Sequence, residues 1–289
     1  MKQSSSYKTF SLFNYIFLSL LGLIIIIPFM NIIAKSLSSY SAIAANKVFI
    51  WPVEFNIDSY RIIFRDKALI RSLFVTIFIT LTGTIISLVS TLTLAYPLSR
   101  PYFMYRGVIL KLILFTFLFG APMIPTFLWI RTLGLYDSIW ALMLPVAIAP
   151  YYFFILSSFL NEFPNELIEA ARIDGCSEIR SLFLIVIPLI KPALATFSLF
   201  YAVGYWNTYM RAIMYLKNKK LMPLQVRLMS ILLETEMRTD GVEHIGIFRM
   251  SPESVRMATI LFSTVPILAV YPYLQKYFTA GLQMGAIKG

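Results

Sequence analysis

Six stretches of this chain contain no Asp, Glu, Lys or Arg: residues 10–34, 72–99, 112–130, 138–161, 192–210 and 257–275. Each runs 19 to 28 residues, and a helix rising about 1.5 Å per residue needs about 20 to cross a hydrocarbon core roughly 30 Å thick. Inside lipid every backbone amide must bond within its own element, so helices are expected, and none of the stretches alternates as a membrane barrel strand does. The expected fold is all-α, a polytopic membrane protein with six transmembrane helices. Composition agrees: 58% of residues are hydrophobic and 13% charged, against roughly 45–50% and ~25% in soluble domains, which rules out a water-soluble globule.

The chemistry available to the chain is narrow. One cysteine, Cys176, and one histidine, His244, are too few for a disulfide framework, a zinc site or a histidine-dependent triad, so no metal site and no catalytic residues are expected. No G-x-x-x-x-G-K-[ST] occurs, so nothing here cradles nucleotide phosphates in the P-loop manner. His244 beside Glu243 reads as a surface residue, and Lys191 as a side chain snorkelling to the interface.

The first stretch reads as an anchor. Its apolar core exceeds the 7–15 residues of a cleaved signal, and the nearest A-x-A, Ala42 to Ala44, lies beyond Ile33. Two connections, of about 37 and 46 residues, are long enough to carry structure. In the first, Ile57, Ile62, Ile63 and Leu69 interleave with Asp58, Arg61, Arg65 and Asp66, which predicts an amphipathic helix on the membrane surface or against its own bundle. The organisation expected is an anchor helix with its amphipathic segment over residues 1–71, then a transmembrane core over 72–289 with loops at 161–191 and 211–256. Prolines 28, 97, 122, 125, 145, 150, 188, 192, 266 and 272 sit in or beside the stretches and are expected to kink helices around a cavity.

The loop from Asn161 to Lys191 is the most organised. Pro164 suits a first helical turn; Phe163, Leu167, Ala170 and Ala171 are expected to share one face, with Glu162, Glu166 and Glu169 on another. Asp174 and Gly175 end that helix, Gly175 supplying a left-handed cap, and Ser177 starts a second helix toward Pro188. A helix of about ten residues is not stable alone, so it must pack on its bundle, on a partner, or on both.

Glu169, Ala170, Ala171, Gly175, Ile185 and Pro188 resemble the Glu-Ala-Ala hallmark of the inner-membrane components of binding-protein-dependent ABC importers, with Ile187 where that pattern has Leu and Cys176 where it commonly has Ala. The resemblance extends to the carbohydrate subgroup, MalG-like and LplC-like permeases. It is carried by "PMIPTFLWIRTLGLYDSIWALMLP" from Pro122, "YWNTYMRAIMYL" from Tyr205 and the ending "AGLQMGAIKG"; Arg71 stands where many relatives have Asn. It implies a type I ABC importer permease fold in the cell membrane, the 161–191 loop in the cytosol, both termini cytoplasmic, and the 211–256 loop external. Counting Lys and Arg alone favours the opposite orientation, with ten on the expected inside and fifteen outside.

The implied partners are a second homologous permease subunit, two ATP-binding subunits, an extracytoplasmic solute-binding protein and the lipid bilayer, with no nucleic acid. ATP and magnesium would sit on the ATPase and no cofactor on this chain. Glu169, Ala170, Ala171, Asp174 and Gly175 would couple to the ATPase. Tyr151, Phe154, Tyr205, Trp206 and Asn207 either line the sugar path, aromatic faces desolvating sugar rings, or form an interfacial belt. The expected cargo is an oligosaccharide; the net charge of +6 on the external segments would suit an acidic one. Ion-coupled secondary transport normally places an ionisable residue near the midplane, and the six stretches have none; a channel is opposed less strongly.

Overall fold

The structure, a computed structural model, describes residues 5–162, 165–239 and 252–286. Among the described residues every regular element is helical, as expected. In chain order these are α1 (Ser5–Ser36), α2 (Tyr40–Ala44), α3 (Asp58–Arg65), α4 (Lys67–Leu98), α5 (Arg106–Leu118), α6 (Met123–Thr132), α7 (Trp140–Met143), α8 (Pro150–Asn161), α9 (Asn165–Ile173), α10 (Glu178–Ser181), α11 (Ile187–Leu189), α12 (Lys191–Trp206), α13 (Met210–Tyr215), α14 (Leu224–Thr239) and α15 (Pro252–Ala286).

Among the described residues three helices are long and apolar enough to cross a membrane: α1 over Phe10–Ser36, α4, and α15 over Glu253–Val270. Two bent pairs also reach that length, Trp140–Val146 with α8 at 47° and Glu178–Leu189 with α12 at 84°. The uncharged stretch 112–130 is not one continuous helix. Residues 119–122 interrupt it, because Pro122 takes an extended conformation at the cap of α6 and disfavours helical backbone in the residue before it. The fifth stretch stops early, at Trp206.

Two of the prolines expected to kink helices begin them. Pro150 and Pro192 occupy first-turn positions of α8 and α12, where a missing N–H costs nothing, each just after a bend between paired helices. Pro28, Pro97, Pro266 and Pro272 do lie inside helices. A π-helical turn at Leu182–Val186 precedes Pro188, and the sharp bend at Ile190 follows it.

The chain divides into two compact units. The first comprises Met1–Ile70 and Leu228–Val265. Here the expected amphipathic helix over residues 57–69 is two helices. Asp66 ends α3, and its carboxylate accepts from the amides of Ala68 (2.8 Å) and Leu69 (3.2 Å), so Leu69 belongs to α4. Ile63 and Leu69 are buried while Ile57 is exposed, so α3 packs within its own unit. Ser59 bonds Ser254 at 2.7 Å, Ser36 bonds Tyr60 at 2.9 Å, and the ring of Phe64 meets that of Phe262 edge-on. Between α1 and α3 the chain closes over Ala34, Ala42, Ile43 and Val48.

The second unit comprises Arg71–Arg227 and Pro266–Gly289. One of its clusters joins Leu92, Ala95, Tyr96 and Leu98 of α4 to Phe153, Leu156 and Leu160 of α8, with Ile168, Val186 and Phe197. Another joins Ile79 to Ala141, Leu142, Met143, Tyr201, Tyr205, Ala212 and Tyr215. The long connection after α12 carries α13 and α14; Phe163, Pro164, Glu243 and His244 lie outside the described residues.

Candidate functional site

The elbow between α9 and α10 forms as its residues dictate. Gly175 adopts φ +80°, the amide of Cys176 donates to the carbonyl of Ala171 (2.8 Å), and that of Gly175 to Arg172 (3.0 Å). These two bonds are the paired closure of a Schellman cap, which needs a left-handed residue at the position Gly175 holds. Ser177 caps α10, its hydroxyl accepting from the amide of Arg180.

The faces of α9 differ from expectation. Ile168 and Ala171 are buried, Ile168 within the cluster that holds Leu160 and Leu182, whereas Leu167 and Ala170 are exposed. One turn on, Ile173 is 87% exposed. Leu167, Ala170 and Ile173 recur at three-residue spacing and so form an apolar stripe on the outer side, with Glu166, Glu169 and Asp174 also exposed. The sequence pattern placed Ala171 on the wrong side, because spacing alone does not say which of two apolar stripes meets the core.

Glu178, which sequence reasoning passed over, joins this elbow to the end of α4. Its carboxylate accepts from the hydroxyls of Tyr96 (3.1 Å) and Tyr102 (3.0 Å) and pairs with the guanidinium of Arg172, which lies 4.9 Å from the Tyr102 ring centre. The available signal was an acidic residue opening a helix after Ser177.

Along α4, Ser72, Thr76, Thr80, Thr84, Ser87 and Thr91 fall at spacings of three or four, hence on one face. Ser87 bonds the Tyr205 hydroxyl and Thr91 that of Tyr201, both at 2.8 Å. Tyr201 also accepts from the amide of Ala149 (3.2 Å), and Tyr205 donates to the carbonyl of Met143 (3.2 Å). Thr76 accepts from the amide of Leu224 at 2.8 Å. Among the described residues the hydroxyls of Thr80 and Thr84 are buried without a partner, so this face of α4 is tied at Thr76, Ser87 and Thr91 and is polar but unbonded between Thr76 and Ser87.

The residues expected along a solute path separate into two groups. Tyr205 and Trp206 are buried, the indole N–H of Trp206 having no partner among the described residues. Tyr151 and Asn207 are exposed and Phe154 half-buried. Phe117 packs against both Tyr151 (6.5 Å between ring centres) and Phe154 (6.1 Å); Tyr151 continues to Tyr152 (5.7 Å) and Tyr152 to Tyr201 (4.9 Å).

Asp137, at φ +60°, was not singled out from sequence. Its carboxylate accepts from the amides of Asn218 (2.7 Å) and Lys217 (2.8 Å), and its own amide donates to Tyr215 (2.8 Å), pinning the chain after α13. The bonds from Asn218 and then Lys217 hold its carboxyl below the usual range.

Helices long and apolar enough to cross a membrane, two of them bent pairs, together with a capped elbow, define a helical membrane protein. The chain belongs to the binding-protein-dependent transport system inner membrane component family, whose model matches residues 5–284. It is a permease component of an ABC transporter, with ATP hydrolysis on a separate subunit. It is 40% identical over 289 residues to protein LplC of Bacillus subtilis, covering 100% of this chain and 98% of that one. It is 41% identical over 283 residues to the polygalacturonan/rhamnogalacturonan transport system permease protein YtcP of the same organism, covering 98% and 99%. A chain in the crystal structure of a bacterial ABC transporter involved in the import of the acidic polysaccharide alginate superposes with a TM-score of 0.87 at 32% identity, covering 96% of this chain and 99% of that chain.

Proposed function

We propose that this chain forms one half of the translocation path of an importer for acidic oligosaccharides, crossing the cell membrane six times with both termini in the cytosol. The third crossing would be the divided stretch of α5 and α6, its break filled by neighbours as lipid requires. A second, homologous permease completes the path, two ATPase subunits dock on the cytosolic side, and a solute-binding protein delivers cargo from outside.

The observation that carries this reading is the elbow. Its Schellman cap makes α9 and α10 a rigid pair, its inner side is fixed by Ile168 and by Glu178, and Leu167, Ala170 and Ile173 face outward with nothing covering them among the described residues. Closure of an ATPase dimer against that stripe would displace the pair as a unit and move α12 beyond the bend at Ile190. Glu169 and Asp174 would orient the contact, Ala170 permit close approach of the ATPase, Ala171 on the inner side permit close packing of α9 on its own bundle, and Gly175 hold the turn.

For the path itself, Tyr151, Phe154 and Asn207 are the accessible members, with Tyr205 and Trp206 behind them. The relatives that import polygalacturonan, rhamnogalacturonan and alginate support an acidic cargo.

Cys176, the sole cysteine, sits in the elbow and gives the test. In intact cells a membrane-impermeant maleimide should leave it unlabelled, in inverted vesicles stripped of ATPase it should label, and adding the ATPase back should protect it. Labelling from outside the cell would sink the reading.

A further inference from the structure

The segment from Trp206 to Arg227 carries Arg211, Lys217, Lys219, Lys220 and Arg227 and no acidic residue. The three lysines are exposed, as surface cations usually are. Arg211 is different: it is half-buried on α13, its Nη2 donates to Thr208 Oγ1 at 3.0 Å, and its guanidinium carbon lies 6.0 Å from the centre of the Tyr205 ring. Among the described residues it forms no ion pair. Asp137, the acid that meets this segment, is taken up by the amides of Lys217 and Asn218.

A cation drawn partly out of water with no counter-ion loses hydration that nothing repays, and such groups are ordinarily paired. Among the described residues Arg211 has a hydroxyl and an aromatic ring beside it but no anion. Its planar fork presents parallel N–H donors that fit a carboxylate in two-point contact, a geometry no ammonium offers. Nearby, Asn207 is exposed, with Oδ1 at 3.5 Å from Gln225 Nε2. That distance marks a weak bond, so Asn207 Oδ1 and Gln225 Nε2 can exchange partners with sugar hydroxyls, while Asn207 Nδ2 is held by the carbonyl of Val203 at 2.9 Å.

We propose that Arg211 is a specificity-determining residue that takes the carboxylate of a uronic-acid unit as the oligosaccharide enters the path, with Asn207 and Gln225 on adjacent hydroxyls. The exposed lysines at 217, 219 and 220 raise the local concentration of the anionic chain ahead of it. This rests on the acidic-oligosaccharide reading given above.

The test uses the complete complex in proteoliposomes, with the solute-binding protein loaded to saturation by trigalacturonate or by its fully methyl-esterified form. Arg211→Gln should slow trigalacturonate uptake about tenfold, the loss expected for one charge-assisted contact, and leave the ester unchanged. Arg211→Lys should fall between, and the basal ATPase rate and the yield of assembled complex should stay as in the wild type. Equal loss for both sugars, or no loss for either, overturns the assignment while leaving the acidic-substrate reading intact. A loss that follows the anionic-lipid content of the vesicles rather than the charge of the sugar assigns Arg211 to a headgroup and also overturns it. A wild-type complex that prefers the ester, or carries neither sugar, removes the acidic-substrate reading itself before any variant is made.

Discussion

A β-carbon on Gly83 would lie 2.8 Å from Cζ of Tyr205. The ring of Tyr205 thus rests directly on the backbone of α4, and its hydroxyl is held on both sides, by Ser87 and by the carbonyl of Met143. A ring so tethered cannot swing away to admit a side chain. Gly83→Ala should therefore destabilise the second unit by about 1–3 kcal/mol, the usual cost of overpacking. Thermal unfolding of the purified complex checks this; an unchanged midpoint would mean the ring gives way freely.

Tyr205→Phe keeps the packing and removes the hydroxyl, leaving the Ser87 hydroxyl without that partner. A loss of about 1–2 kcal/mol is expected, comparable to one buried hydrogen bond left unmade. Thr91→Val should behave similarly through Tyr201, and the two effects should not add fully if the seam between α4 and α12 moves as a unit. Full additivity in a double-mutant cycle would argue against a common seam.

At the elbow, Gly175 has open space around it but a left-handed backbone. The cost of replacing it is conformational: Gly175→Val should weaken the turn by roughly 1–2 kcal/mol or more, while Gly175→Asn, which tolerates that region, should cost less. Transport-coupled ATPase activity is expected to fall in the order Gly, Asn, Val. Equal coupling in all three would contradict a mechanical role for the turn.

Removing the acid that joins the elbow to α4 offers a sharper separation. Glu178→Gln keeps the size of the side chain but removes the charge that holds Arg172, and Tyr102→Phe removes one donor. Both are expected to leave ATPase binding to the permease intact while lowering uptake per ATP hydrolysed. Loss of binding with normal coupling would place these residues in docking rather than transmission.

Asp137 gives a prediction in pH. Its carboxyl is depressed by the amides of Asn218 and Lys217, so the stabilisation is fully present above the unfolded carboxylate value and is lost only as pH falls through the lower folded one. Amide exchange at Lys217 and Asn218 should stay slow at neutral pH and accelerate, relative to intrinsic rates, in that acidic window. Asp137→Ala should remove the protection at every pH.

Much of the architecture was legible in the residues. Six uncharged stretches announced lipid and helices because burying a charge or leaving an amide unbonded in hydrocarbon is prohibitive. Gly175 and Ser177 announced the elbow, since caps are local chemistry and need no knowledge of the rest of the fold. The aromatic residues at 151, 154 and 205–207 could be named but not sorted.

What only the tertiary structure decided was direction and pairing. Periodicity marks an apolar face but not its neighbour, so Ala171, expected beside Leu167 and Ala170, turns inward while those two stay exposed, and the helix expected over residues 57–69 split when Asp66 found the amides of α4. Glu178 with Tyr96 and Tyr102, Asp137 with residues 217 and 218, and Gly83 beneath Tyr205 are contacts between segments far apart in the chain. No local rule encodes them. They exist because packed helices bring distant polar groups within bonding reach, where burial makes an unmet bond costly and a met one specific.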